Sequence, residues 1–254
     1  EEKVRESYPS DLTDEQWEEI APLYTGMRNC TWSKRELTDA VLYLVDSGCK
    51  WRQLPHDFPP YSTVHSFYRR ARISGLWDKI LEHLVKKTRT NAGRKESPSY
   101  AIIDSQSVKT VAASEERGIE EEKNERQKAA IVVDVLGCLL SVVVHAANIH
   151  DTKSGISTAK RAYERYPSIL KFCADAGYRG TFVSDLKEQL DLDVDISEKI
   201  KPHQWEKLPW RWVVERTLSW LNHSRRLSKD YEISVSSAET MVKISHFLTL
   251  LKRL

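Results

Sequence analysis

Three β-branched apolar runs follow one another in the middle of this chain, and the ninety or so residues before them contain none. Tyr100 to Thr110 reads as a strand; Ala130 to Val135 and Leu139 to Ala147, split by Leu136-Gly137, read as a hairpin. Beyond them the apolar spacing alternates between the two periods. A helix is expected over Asp151 to Arg165, a strand over Leu170 to Ala174, a helix over Thr181 to Leu190 and a strand over Asp191 to Ile196. Two helices, Pro209 to Leu227 and Ser236 to Arg253, close the chain. Three antiparallel strands followed by alternating helices and strands match one order, that of a ribonuclease-H-like mixed sheet flanked by helices.

The first ninety residues carry the helical period instead. Thr13-x-x-Gln16 and Ser33-x-x-Glu36 are capping boxes opening Asp14 to Tyr24 and Lys34 to Asp46, and Gly48 closes the second. Further helices are expected over Ser62 to Ile73 and Leu76 to Thr88, around Gly75. Trp17, Trp32, Trp51 and Trp77 read as core anchors. Helix, short Gly turn and helix, with Arg69, Arg70 and Arg72 on the first, are compatible with a DNA reader, although most helical hairpins bind nothing. The polar stretch before Tyr100 is a linker. The expected division is therefore an α/β chain with a small all-α N-terminal domain over 1–90, a linker over 91–99 and the sheet domain over 100–254.

Charge adds direction rather than proof. The 39 basic and 37 acidic residues nearly cancel, but Tyr61 to Glu96 holds nine Lys/Arg against three Asp/Glu, and Glu198 to Asp230 eight against four. Such clusters suit a polyanion and equally suit solvated helix faces. Four scattered cysteines without a CxxC pair indicate a reducing compartment, hence the cytoplasm. No apolar run spans a membrane. The start lacks Met and a leader pattern, and is read as trimmed.

Asp104 interrupts an otherwise apolar strand, Asp175 ends the Lys171-Phe172-Cys173-Ala174 strand, and Glu215 lies in Trp212-Val213-Val214-Glu215, on a face expected to meet the sheet. Singly, each has an ordinary explanation: a turn former at Asp104, a loop cap at Asp175, an ion pair of Glu215 with Arg211 or Arg216. Together, in this topology, they converge. Gathered carboxylates repel unless hard divalent cations neutralise them, and two such ions about 3.5–4 Å apart suit in-line phosphoryl transfer. Asp134 is assigned to the hairpin, and His145, His150 and Asp151 are weaker candidates, the last two as a helix start.

From about Tyr8 onward, the chain resembles bacterial insertion-sequence transposases of the DDE type, in the compact group around insertion sequence five. The resemblance rests on GCKWRQLP (48–55), IDSQSVKT (103–110), IVVDVLG (131–137), HAANIHD (145–151), ADAGYRG (174–180) and RWVVER (211–216), leading into WLN (220–222) and RRL (225–227). It implies that Asp104, Asp175 and Glu215 are the catalytic triad and bind two Mg²⁺ or Mn²⁺ ions. It implies transposon-end cleavage, joining of the 3′-hydroxyl to target DNA, end binding by the helical region, and a homodimer or higher assembly on paired ends. Arg211 is expected on a DNA phosphate, with Lys109, Arg179 and Arg216 as further DNA contacts.

Two departures stand out. Leu208 and Asn222 replace a signature Tyr and Lys, which leaves Arg225 and Arg226 as substitute cations. Gly118 to Ala130 reads GIEEEKNERQKAA, acidic and helix-prone, where relatives are basic. Acidic side chains there would weaken DNA binding. Two alternatives follow: a nuclease of the same fold without strand transfer, and a transposase-derived DNA-binding or regulatory protein with weak or no catalysis.

Overall fold

The computed structural model describes residues 5–28, 30–109, 118–119, 125–146, 151–197 and 210–254. Helices α1 (Asp14–Ile20), α2 (Lys34–Ser47), α3 (Tyr61–Ile73) and α4 (Leu76–Asn91) come first. Both capping boxes form: the Thr13 hydroxyl accepts from the Gln16 amide and the Ser33 hydroxyl from the Glu36 amide, with the Gln16 and Glu36 side chains answering in return. The first helix is shorter than its spacing suggests. Pro22 cannot donate to the helical ladder, and residues 21–24 tighten into a 3-10 turn. Gly48 ends α2 at φ +70°, where a Cβ would come within 3.0 Å of the Arg225 backbone. Two distant sequence motifs, 48–55 and 225–227, therefore meet there.

The sheet strands are β1 (Tyr100–Lys109), β2 (Gly118–Ile119), β3 (Glu125–Asp134), β4 (Leu139–Ala146), β5 (Lys171–Asp175) and β6 (Asp193–Ser197), interleaved with α5 (Asp151–Arg165) and α6 (Thr181–Leu190). Their order is β4-β3-β1-β5-β6, with two-residue β2 beside the start of β3. β1, β3 and β4 pair antiparallel, while β5 and β6 run parallel to β1. This is the ribonuclease-H-like order. Residues 125–130, expected to favour helix, belong to β3: pairing with Ser105 to Lys109 on one side and β4 on the other overrides local propensity. Residues 120–124 of that acidic stretch lie outside the described residues.

The last helices are α7 (Arg211–Leu221) and α8 (Val235–Leu251). α7 stops six residues before the expected Leu227; the chain leaves the helix axis after Leu221, and residues 225–227 form a separate turn that carries Arg226 inward. α8 is apolar nearly all round, with twelve buried residues, because it stands between the helical region and the sheet. Trp77 stacks on Phe247 (5.9 Å between centroids), the Gln16 side chain donates to the Leu251 carbonyl at 3.1 Å, and Asp78 on α4 pairs with Arg165 (2.6 Å) and Lys243 (2.9 Å). One apolar core thus runs from α1 to the sheet. Of the tryptophans, Trp77 is fully buried, while Trp17, Trp32 and Trp51 pack partly buried against this core. The cysteines are all free, and no helix among the described residues is long and apolar enough to cross a membrane.

His246 of α8 accepts the Leu139 amide on Nε2 at 2.9 Å, and complete burial pushes its imidazole down to about 3. The fold therefore holds it neutral. Its contribution is present above the ordinary histidine range and is lost as pH falls from about 6.5 toward 3, reaching about 2–3 kcal/mol by pH 4.5. His246→Gln keeps an acceptor and cannot take the proton. Urea titrations at pH 7.5 and 4.5 should show the variant losing that much less stability than the parent; equal losses would place the acid sensitivity elsewhere.

Candidate active site

β1 carries Asp104 on the face turned to α7, in register with Ile131 of β3. Ile102 of β1 pairs with Cys173 of β5, so two residues further along each parallel strand stand Asp104 and Asp175, on strands about 4.8 Å apart. The topology brings these two together as expected. Glu215 enters from the second turn of α7, which packs against β1, β3 and β5. Its position differs from expectation: Val213, Val214 and Thr217 face the sheet, and Glu215 is on the exposed flank, its side chain 54% accessible.

The electrostatics join the three. Burial pushes the Asp104 carboxyl up to about 6. The Ser105 amide, donating at 2.8 Å, opposes that; the Asp175 charge adds to it, Arg211 lowers it and Glu215 raises it again. Each acid also has a local bond. Asp175 accepts the Gly177 amide at 2.9 Å and caps the turn 176–178, and Arg211 Nε lies 3.0 Å from Glu215 Oε1, an ion pair without an aligned hydrogen bond. Asp104 is no strand-end turn former, since β1 continues five residues past it.

Among the described residues, no three His, Cys, Asp or Glu stand close enough to hold a metal ion. The donor chemistry nonetheless fits one: hard carboxylate oxygens, one of them buried, with Arg211 as the named countercharge. Asp134 is structural, as the hairpin reading has it. It is fully buried, paired with Arg89, and accepts the Leu136 and Cys138 amides. His145 is buried with Nδ1 at 2.9 Å from the Ala146 carbonyl; His150 lies outside the described residues, and Asp151 opens α5.

The nine expected DNA contacts divide sharply. Arg69, Arg70, Arg179 and Arg225 are exposed, and Arg211 stands beside the acids. Arg72 is tied to the Ser234 and Ser236 hydroxyls (3.2 and 2.6 Å). Arg216 is stacked between Trp212 and Trp220 (4.6 and 4.5 Å) and donates to the Leu136 carbonyl. Arg226 is buried, bound to Glu232 at 2.6 Å and to the Cys49 carbonyl at 3.1 Å, which leaves it no face for DNA. The Lys109 side chain and Leu208 lie outside the described residues, and Asn222 is exposed at the end of α7. The Trp212-Arg216-Trp220 ladder went unread, although its spacing of four is a helical signal.

Comparison with known proteins places these features in a family. Residues 95–250 match the Transposase DDE domain model, and residues 12–81 match DUF4096, the model for a transposase of the IS4/5 family. An insertion element IS402 16.2 kDa protein of Burkholderia cepacia is 30% identical over 118 residues, covering 42% of this chain and 78% of that protein. The protein y4sN of Sinorhizobium fredii is 32% identical over 80 residues, 30% of this chain and 64% of that one. Among solved structures, the catalytic domain of Mos1 mariner transposase is 10% identical with a TM-score of 0.35, covering 68% of this chain and 87% of that one. A piggyBac transposase synaptic complex is 11% identical with a TM-score of 0.36, covering 77% and 50%. At these TM-scores the structural likeness carries no argument.

Proposed function

The chain belongs to the DDE transposase family, and from that membership we propose that it cuts transposon ends and joins them to target DNA, with Asp104, Asp175 and Glu215 as the catalytic triad. The observation that carries this reading is the coupling of the three acids: Asp104 and Asp175 side by side on parallel strands, with Glu215 acting on Asp104 from α7. The three carboxylates would hold Mg²⁺ or Mn²⁺, two ions, whose charge favours the attacking hydroxyl and the leaving oxygen when bound.

The rest falls to the chain's own residues. Water attacks the end phosphodiester, and the broken P–O bond leaves a 3′-hydroxyl and a 5′-phosphate. The 3′-hydroxyl then attacks a target phosphodiester, forming one P–O bond and releasing the target's own 3′-hydroxyl. Arg211, which pairs with Glu215 at 3.0 Å, meets a scissile-strand phosphate and exchanges that pairing for one with DNA. Arg179, four residues past Asp175, and Arg225 are further exposed cations for the DNA backbone. Residues 1–90 act as the end-binding part and 100–254 as the catalytic part, working as a homodimer or higher assembly in the cytoplasm.

An assay with the element's own end sequence, in Mg²⁺ or Mn²⁺ against EDTA, tests this. Metal-dependent nicking with joined products is expected. Nicking without joining would make the chain a nuclease, and end binding without cutting would make it a regulator.

A further inference from the structure

Several cations of this chain are neutralised by carboxylates. Arg5, Arg35, Lys86, Lys87, Arg89, Arg161, Arg165, Lys171, Lys187, Arg226 and Lys243 each sit within ion-pair distance of a carboxylate. One region differs. A cavity of 570 Å³ opens between the start of α2 and the C-terminal half of α3, and its charged lining is Arg28, Lys34 and Arg70. No carboxylate lines it. Residues 25–34 and 61–75 contain no Asp or Glu at all. Glu36, the nearest acid in sequence, is turned back onto Ser33 in the capping box. Among the described residues, none of these three cations has an ion-pair partner.

One of the three is held in place and all three face the same space. Lys34 donates to the Arg28 carbonyl at 2.7 Å, which fixes its ammonium at the rim, 3.2 Å from the Cys30 sulfur. Arg28 precedes α2, Lys34 is its first residue, and Arg70 comes from a different helix, so three elements point positive charge at one space. Met27 and Phe67 give that space an apolar floor. Three cations without a countercharge over an apolar floor fit a phosphodiester chain, whose phosphates meet the cations and whose sugars rest on the floor.

We propose that this cavity, lined by Arg28, Lys34 and Arg70, is a groove that grips the phosphate backbone of duplex DNA. It rests on the reading of the chain as a DNA-acting enzyme and moves the expected contact surface. Of the arginines first considered on α3, Arg72 turns away to Ser234 and Ser236, and Arg70 works instead with two residues of the α2 approach. An open groove with contributions from three elements suits a continuous strand better than a small anion.

Fluorescence anisotropy of the full chain with a labelled mixed-sequence duplex, in EDTA and across a salt series, tests the groove without depending on catalysis. Arg28→Ala/Lys34→Ala/Arg70→Ala should bind at least about tenfold more weakly and lower the slope of log affinity against log salt by about 2–3. A control removing equal charge elsewhere, Lys160→Ala/Lys187→Ala/Lys252→Ala, should keep the parental slope. A parental slope in the first variant overturns the groove while leaving DNA binding intact; a parent chain that binds no duplex overturns both readings. A mononucleotide that displaces the duplex at equal phosphate concentration also overturns it, in favour of a nucleotide site. A second test uses exposed Cys30 in a Cys49→Ser background, where the two remaining cysteines are buried. A thiol reagent that adds a sulfonate should weaken binding severalfold and one that adds a quaternary ammonium should not; equal effects of the two, or none, overturn the proposal.

Discussion

Asp104→Asn should lower metal-dependent DNA cleavage by about 1,000-fold or more while raising the melting temperature of the metal-free protein. The first effect follows from charge. The amide keeps the shape and can still accept the Ser105 amide, but it removes a hard anionic oxygen from the set formed with Asp175 and Glu215. A loss of about 4 kcal/mol of transition-state stabilisation corresponds to that factor. The second effect has the opposite sign because the same carboxylate is held against its preference. Its folded-state value near 6 lies above that of an unfolded Asp, so its stabilising contribution is full below about pH 4 and is lost as pH rises through 6. The variant should therefore exceed the parent by about 1–2 kcal/mol at pH 7.5 in EDTA, discounted for partial exposure, and match it near pH 4. Cleavage that persists in the variant would remove Asp104 from the triad, and a lower melting point at pH 7.5 would show that its burial is not strained.

Arg89→Ala should reduce the unfolding free energy by about 3–5 kcal/mol, the largest stability change expected from any single side chain here. Arg89 and Asp134 are both buried and pair directly. Arg89 also donates to the Lys95 and Ser97 carbonyls, and Asp134 accepts two amides of the β3–β4 turn. Truncating the arginine strands a buried charge and two carbonyls at once. Arg89→Met combined with Asp134→Asn should recover part of the loss, because the neutral amide still accepts the turn's N–H groups without a stranded charge. Urea unfolding followed by tryptophan fluorescence reads both; a loss below about 1 kcal/mol for Arg89→Ala would mean that water reaches the pair.

Local rules carried much of the fold. The two capping boxes, the Gly137 hairpin and the helix over Asp151 to Arg165 depend on neighbours a few residues apart, and those are written in sequence order. The pairing of Asp104 with Asp175 was legible because strand order and strand length together determine which residues come level. What failed depended on contacts far along the chain. Arg226 reads as a surface cation until Cys49 and Glu232 are seen to enclose it, and Arg72 until α8 arrives with two serines. The acidic run before Ala130 favours helix locally, but the two flanking strands claim its final residues. Glu215 was read as facing the sheet because valines precede it; the helix turns those valines inward and leaves the acid on the flank.

Helix α2 connects two places of consequence. Its first residue, Lys34, is on the basic cavity, and Gly48 at its far end rests against Arg225, just beyond the helix that carries Glu215. Fourteen residues of helix span about 21 Å. Because α8 packs against both this helix and the sheet, the basic cavity and the three acids belong to one solid frame, and the separation between them is a dimension of the protein itself.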